Sequence, residues 1–579
     1  MTRKLGIFCL LSILLGGIII WFVPKKVLRN LYLYSKFKIE TRNTEPVLAI
    51  FDWNRKDIAF PADSFQYINI RITDPDDQLS LDKEHVDKIQ PLFISVDLWN
   101  MDISENPLDA ILKGKYDGKI KEMCALFSDN QAPVYIRWNP EMEVPAHLYP
   151  WQGQSPALYS EAFKHFSETC RKWLPRANIV WSTAGYPGVL EYYPGDEFFD
   201  YASITLQSES EKSTKAYPEY KSVSEETARK IHRLRFVKKP IFILGQQKVS
   251  GVDSIHKGIL DAGKYIHRNS ITIYQTAGIE VVKADNETVN PIKFGVYDPN
   301  QKLNNLREIT TEHIFPNWKS LQDGSFSKEF NAAVARKHDV IITMEPWKEA
   351  NAKPDPDILL SIIDGRYDNQ IQKLFNIISK SEQTVYLRWI HEMEIPVTRY
   401  PWQSQPPVNY IKAYRYLASF RKPEQSNIKL VWGPAGDRGL QDWWPGADVV
   451  DYISMAIYGL PDKNITDYKK QETFKTICNR KIYRMRFFNK PIFVTEFGIS
   501  GPEEYQLKWL LAASETINAN PQIKGICYFN MVDTPKAWGD IEAPDWRISP
   551  ATYQAFIRSF PMEFPISRMV PNKRAGASY

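Results

Sequence analysis

Two glutamates stand where apolar runs give out. Glu392 closes Tyr386-Leu387-Arg388-Trp389-Ile390-His391-Glu392, and Glu496 closes Ile492-Phe493-Val494-Thr495-Glu496. Carboxyls at the ends of two buried strands can face one bond from opposite sides. A pair about 5 to 5.5 Å apart supplies an acid/base and a nucleophile for glycosidic cleavage with retention. The neighbours suit that chemistry: His391 can hydrogen-bond substrate or the acid, Arg388 can hold a carboxylate ionised, and Tyr458 can donate to Glu496. A lone His, Arg or Tyr at such a place is more often an ordinary structural hydrogen-bonder than a functional group. Trp347, Tyr400, Trp402, Trp443, Trp444 and Trp538 follow strand ends, where flat rings stack on pyranose faces. Among them Trp347, Trp402 and Trp538 are the candidates for lining a sugar subsite.

The elements that must position these groups come from a sequence written twice. Tyr135-Ile136-Arg137-Trp138-Asn139-Pro140-Glu141-Met142-Glu143 recurs 251 residues later as Tyr386-Leu387-Arg388-Trp389-Ile390-His391-Glu392-Met393-Glu394. The same offset joins Tyr149-Pro150-Trp151-Gln152 to Tyr400-Pro401-Trp402-Gln403 and Lys239-Pro240-Ile241-Phe242 to Lys490-Pro491-Ile492-Phe493. In the second copy, runs rich in β-branched and aromatic residues predict strands at 292–298, 313–318, 339–347, 384–391, 428–432, 450–458, 491–497 and 523–530. Amphipathic helical spacing lies between them, as in Tyr410, Ala413, Tyr414, Leu417 and Phe420. Eight alternating strand and helix pairs predict a closed (β/α)8 barrel, an α/β fold. A matching series in the first copy (46–52, 65–72, 90–99, 133–138, 178–181, 199–206, 240–244 and 270–274) predicts a second TIM barrel in tandem.

The second copy resembles glycoside hydrolase family 26, the clan A barrels that include β-mannanases and mixed-linkage β-glucanases. Arg388-Trp389-Ile390-His391-Glu392-Met393 is similar to that family's acid/base motif and Val494-Thr495-Glu496-Phe497-Gly498 to its nucleophile strand. Asp364-Gly365-Arg366-Tyr367-Asp368, Tyr400-Pro401-Trp402 and Pro445-Gly446 are also similar, so the likeness spans about 290 to 560. The resemblance implies Glu392 as acid/base, Glu496 as nucleophile, and His391 and Tyr458 as support. Glu394 departs from the Asn usual after the Met, which bears on the choice of sugar. In the first copy Glu392 maps to Glu141, but His391 maps to Pro140, Tyr458 to Gln207 and Glu496 to Gly245. Without a nucleophile that copy is expected to be degenerate, a spacer or a glycan-binding unit carrying Trp99 and Trp151.

Composition narrows the setting. The 579 residues carry 43% hydrophobic and 24% charged side chains with net charge +5, which excludes a disordered chain and disfavours nucleic acid as partner. The five cysteines (Cys9, Cys124, Cys170, Cys478 and Cys527) lack metal or redox spacing, so no metal and no cofactor are expected. Leu5 to Val23 is an uncharged run long enough to span a bilayer, ending in Trp21-Phe22-Val23-Pro24-Lys25-Lys26 without a small-residue cleavage site. The expected organisation is a transmembrane anchor with its juxtamembrane segment (1–40), a degenerate barrel (41–285), a catalytic barrel (291–560) and a loose tail (561–579), the barrels being extracytoplasmic. The expected activity is retaining β-glycanase action on a polysaccharide such as β-mannan or β-glucan. The alternatives are a transglycosylase, and a non-catalytic glycan-binding or scaffold subunit with polysaccharide synthesis or export partners.

Overall fold

The computed structural model describes residues 46–60, 65–76, 79, 86–99, 105–214, 220–246, 252–278, 292–347, 355–396, 399–460, 472–534 and 542–561. The expected membrane span at Leu5 to Val23, Trp538 and nearly all of the tail lie outside the described residues. The described chain divides into two compact units, one drawn from residues up to 278 together with Arg438–Gly446, the other from the remainder.

The first unit holds strands β1 (Pro46–Asp52), β2 (Asp57–Ala59), β3 (Gln66–Ile72), β4 (Leu92–Leu98), β5 (Val134–Trp138), β6 (Asn178–Ser182), β7 (Tyr201–Leu206) and β8 (Ile241–Gln246). They form one sheet in the order β2-β1-β8-β7-β6-β5-β4-β3. From β3 to β8 the ladder is parallel, as crossover helices such as Pro156–Trp173 require. Phe93, Val180, Phe242 and Leu244 form a core against which Leu48, Ile50, Phe65, Tyr67, Tyr135 and Tyr201 pack, so the sheet rolls around one interior.

Among the described residues the roll does not close into a barrel, which departs from the tandem-barrel expectation. The predicted strand at 270–274 is helical, Ser270–Gln275. Its β-branched residues reach no sheet: Ile271 is 81% exposed and only Ile273 is buried. The run continues from the helix Val252–Arg268, with the Asn269 amide donating to Tyr265 and Ile266 carbonyls, and local hydrogen bonding outweighs strand propensity. The slot beside β8 is taken by β1, which pairs antiparallel with β8 from Pro46↔Gln246 to Phe51↔Ile241 and folds back onto β2.

The second unit is a closed barrel. Its strands are β9 (Lys293–Tyr297), β10 (Thr311–Ile314), β11 (Asp339–Met344), β12 (Val385–Trp389), β13 (Ile428–Trp432), β14 (Tyr452–Gly459), β15 (Ile492–Ile499) and β16 (Ile523–Phe529). The ring β9 through β16 closes on itself, and each neighbouring pair is parallel. Ile341, Tyr386, Val431, Phe493 and Cys527 fill the barrel axis as a buried layer with Tyr452 against it. Two residues further along β12, the same inward face carries Arg388, so this layer is the floor on which the polar groups stand.

Candidate active site

Glu496 reaches the interior through an irregularity. Strict alternation from the inward Phe493 would turn Glu496 outward. The ladder between β14 and β15 shifts between Met455 and Ala456, pairing Met455 with Val494 but Ala456 with Glu496, so Thr495 is the extra residue of a bulge. The bulge re-aims Glu496 inward and sends Phe497 out against Phe474, Trp509 and Phe556 of the surrounding helices. Arg388, with no exposed surface, donates through Nη1 to Glu496 Oε1, and the Tyr458 hydroxyl donates to Oε2 at 2.9 Å. Burial and the Glu496 charge push the Tyr458 hydroxyl well above its usual range, keeping it a donor. Arg388 is itself fixed by Ser454 Oγ at 3.0 Å and Thr343 Oγ1 at 3.3 Å, and Thr343 in turn meets His313 Nε2 at 2.7 Å.

Glu392 is set by a turn of unusual backbone. Ile390 (φ 51°) and Glu392 (φ 54°) both lie in the left-handed region, where an L side chain costs about 1–2 kcal/mol. Hydrogen bonds offset that cost. The Glu392 amide donates to the Gly433 carbonyl at 2.7 Å, Trp402 Nε1 donates to the His391 carbonyl at 2.8 Å, and Gln403 Nε2 donates to the Glu392 carbonyl at 3.0 Å. Gly433 must be glycine: a Cβ there would lie 2.9 Å from both Cγ and Nε of Arg388. Burial, then the Glu496 charge, pushes the Glu392 carboxyl up to about 7 against the opposing pull of Arg388. His391, 2% exposed, is held well below its usual range by burial and by Arg388, so it is a neutral imidazole.

The structure thus brings Glu392, Glu496, Arg388, His391 and Tyr458 together. The aromatic candidates divide. Trp347 is partly exposed and meets Tyr400 at 5.1 Å between ring centroids. Trp402 has no exposed surface and stacks at 4.7 Å under Tyr400; its indole clamps the turn and presents no face to a ligand. Trp443 and Trp444 are buried at 1% and 3%. Glu394 is buried too, its Oε1 accepting the Gly436 and Asp437 amides at 2.9 and 3.0 Å, a loop-holding role away from sugar contacts. A third carboxyl not singled out from the sequence is Glu345, just past β11. Trp347 Nε1 donates to its Oε2 at 3.0 Å, and burial lifts it to about 7. Its signal was the recurrence of Asp97-Leu98-Trp99 as Glu345-Pro346-Trp347, at an offset of 248. Among the described residues no group of three or more His, Cys, Asp or Glu side chains is arranged to hold a metal ion.

The first unit repeats the scaffold with Gly245 at the place of Glu496. Asn139 and Glu141 have φ of 42° and 60°, Trp151 Nε1 donates to the Pro140 carbonyl, Gln152 Nε2 donates to the Glu141 carbonyl, and Glu143 accepts the Gly185 and Tyr186 amides. Trp99 and Trp151 have no exposed surface, so neither offers a stacking face.

In sequence the chain is similar to a β-1,3-xylanase of Alcaligenes sp., 26% identical over 168 residues, and to the β-1,3-xylanase TXYA of Vibrio sp., 26% identical over 156 residues. These matches take in 28% and 25% of the chain, which covers 31% and 30% of the xylanases' own lengths. No family model matches. Among solved structures it is similar to a glycoside hydrolase family 26 β-mannanase of Bacteroides ovatus (13% identity, TM-score 0.34, covering 46% of this chain and 88% of that one). An endo-β-1,4-mannanase of Cellulomonas fimi is also similar (14% identity, TM-score 0.32, 43% and 63%). The relatives so found are glycoside hydrolases, and the sequence similarity is to enzymes of that class.

Proposed function

We propose that the second barrel is a retaining glycoside hydrolase of a β-linked polysaccharide. The observation that carries this reading is the unlike treatment of two carboxyls in one cleft. Glu392 is lifted to about 7, the range of a proton donor at neutral pH, while both oxygens of Glu496 are held by Arg388 and Tyr458. Glu496 attacks the anomeric carbon as Glu392 protonates the departing oxygen. Glu392 then takes a proton from water, which cleaves the glycosyl–Glu496 ester. Arg388 and the Tyr458 hydroxyl orient the nucleophile, and the partly exposed Trp347 offers a ring to the sugar. The similarity to β-1,3-xylanases supports placing β-1,3-xylan beside β-mannan and β-glucan as substrates. With the apolar run at Leu5 to Val23 as a membrane anchor, the barrel would act on extracytoplasmic glycan.

The test is reducing-end release from β-1,3-xylan, β-mannan and mixed-linkage β-glucan by the full chain, with Glu496→Ala as control. Release from one polymer that the substitution lowers by about 10³-fold or more supports the enzyme. Background release from all three overturns it in favour of a glycan-binding or scaffold subunit.

A further inference from the structure

The cleft holds one carboxyl more than double displacement uses, and the duplicated sheet shows how such a carboxyl looks when its role is structural. Asp97, the first unit's counterpart of Glu345, pairs across the strands with Arg71. It is 4% exposed, near the positive charges of Arg71 and Arg137 and within hydrogen-bond reach of Asn69 and Ser95. At the matching register of the second unit the neighbour of Glu345 is Asn317. The Asn317 carboxamide oxygen is engaged in capping the helix Trp318–Asp323, accepting from the Ser320 amide at 2.9 Å. Among the described residues no Lys or Arg comes within ion-pair distance of Glu345; the Arg399 charge acts on it from farther away, and Trp347 and Tyr400 hydrogen-bond its carboxyl, which leaves Oε1 facing His391. Its side chain stays 16% exposed, with Oε1 standing 4.0 Å from Nε2 of His391. The other ring nitrogen of His391, Nδ1, is buried without a hydrogen-bond partner.

We infer that Glu345 and His391 together bind one hydroxyl of the sugar seated against Glu392 and Glu496, and so select a glycan whose hydroxyl at that place carries no substituent. This rests on the proposed function of the same cleft. A gap of 4.0 Å is too long for a direct hydrogen bond, but one oxygen about 2.8 Å from each group bridges it. A hydroxyl suits both sides, donating its proton to the carboxyl and accepting from the imidazole N–H. An ether, ester or hydrogen in its place leaves at least one of the two groups unanswered, and sites built to read a hydroxyl discriminate strongly against its absence. Glu345 is then a specificity-determining residue, outside the bond-breaking pair.

The test is calorimetric binding to the full-length Glu496→Ala protein, with β-1,3-xylotetraose and β-1,4-mannotetraose as probes. Each is used intact and as a series of single deoxy or O-methyl derivatives, with and without Glu345→Gln. The expected result is that Glu345→Gln weakens the intact probe by about 10- to 100-fold yet leaves unchanged the affinity of one derivative, the one altered at the bridging hydroxyl. Equal weakening of every derivative overturns the inference, because a structural defect does not distinguish one hydroxyl from another; melting temperatures of the variants check folding. Hydroxyl-specific coupling in a protein that releases no reducing ends would uphold the subsite while the hydrolase reading falls. Hydrolysis with uniform weakening would do the reverse, and no binding of either probe overturns both.

Discussion

Arg388 is the residue on which the cleft turns, since it answers the Glu496 charge and opposes the upward shift of the Glu392 carboxyl while having no contact with solvent. Removing one partner of a buried ion pair costs about 3–5 kcal/mol because the other is left uncompensated. Arg388→Met should therefore lower the melting temperature by several degrees and abolish activity, whereas Arg388→Met combined with Glu496→Gln should recover much of the stability and none of the activity. Melting curves on the two variants decide this. Glu392 sets the pH response. An acid poised near 7 is lost as pH rises, so kcat/KM should fall on the alkaline side of about pH 7. Glu392→Gln should cost about 10²–10⁴-fold on substrates with poor leaving groups and remove that limb of the pH–rate profile. The strand-end glutamates and their Arg, His and Tyr neighbours were legible from residue type and position. Trp402 was misread because an aromatic after a strand can stack on sugar or plug a turn, and only its burial separates the two.

At the scale of elements, the turn after β12 and the bulge in β15 do the aiming. The turn could be read as a motif, but its left-handed residues could not: Ile390 and Glu392 have no intrinsic preference for positive φ and are held there by Gly433, Trp402 and Gln403. The bulge was equally silent, since alternation alone puts Thr495 inward and Glu496 out. Glu394 and Glu143 hold the neighbouring loops in the two units, and each is raised to about 7, burial being the largest cause. The sign follows from linkage. A carboxyl whose folded value exceeds its unfolded value of about 4.3 binds more protons when folded, so stability falls as pH rises from about 4.3 to about 7. The protein should therefore melt a few degrees lower at pH 7.5 than at pH 5. The double variant Glu143→Gln/Glu394→Gln should show a shallower decline in melts taken across that range, whatever its absolute stability.

At the scale of the molecule, the two units share the frame of a site more closely than its side chains. The first unit keeps the left-handed turn, the Trp–Gln clamp and the loop-holding glutamate, all of which serve folding, and has glycine where the nucleophile would stand. Glu141→Ala should accordingly leave polysaccharide hydrolysis within about twofold of wild type, while Glu392→Ala removes it; reducing-sugar assays of the two variants settle the division of labour. The constant offset made the recurrence of the motifs plain. It could not reveal that the last predicted strand of the first copy is helical, because Ser270-Ile271-Thr272-Ile273-Tyr274 has strand propensity and lacks only a sheet to join.

The seam of the first sheet has a consequence in time. A closed ring offers no place for fraying to start, but a rolled sheet that among the described residues ends at β2 and β3 has two terminal ladders, one only three residues long. Deuterium should enter the amides of β2 and β3 through small local openings within minutes, while those of β14 and β15 wait for the barrel to come apart. The first unit would then breathe at its margin while the second stays shut around Glu392 and Glu496.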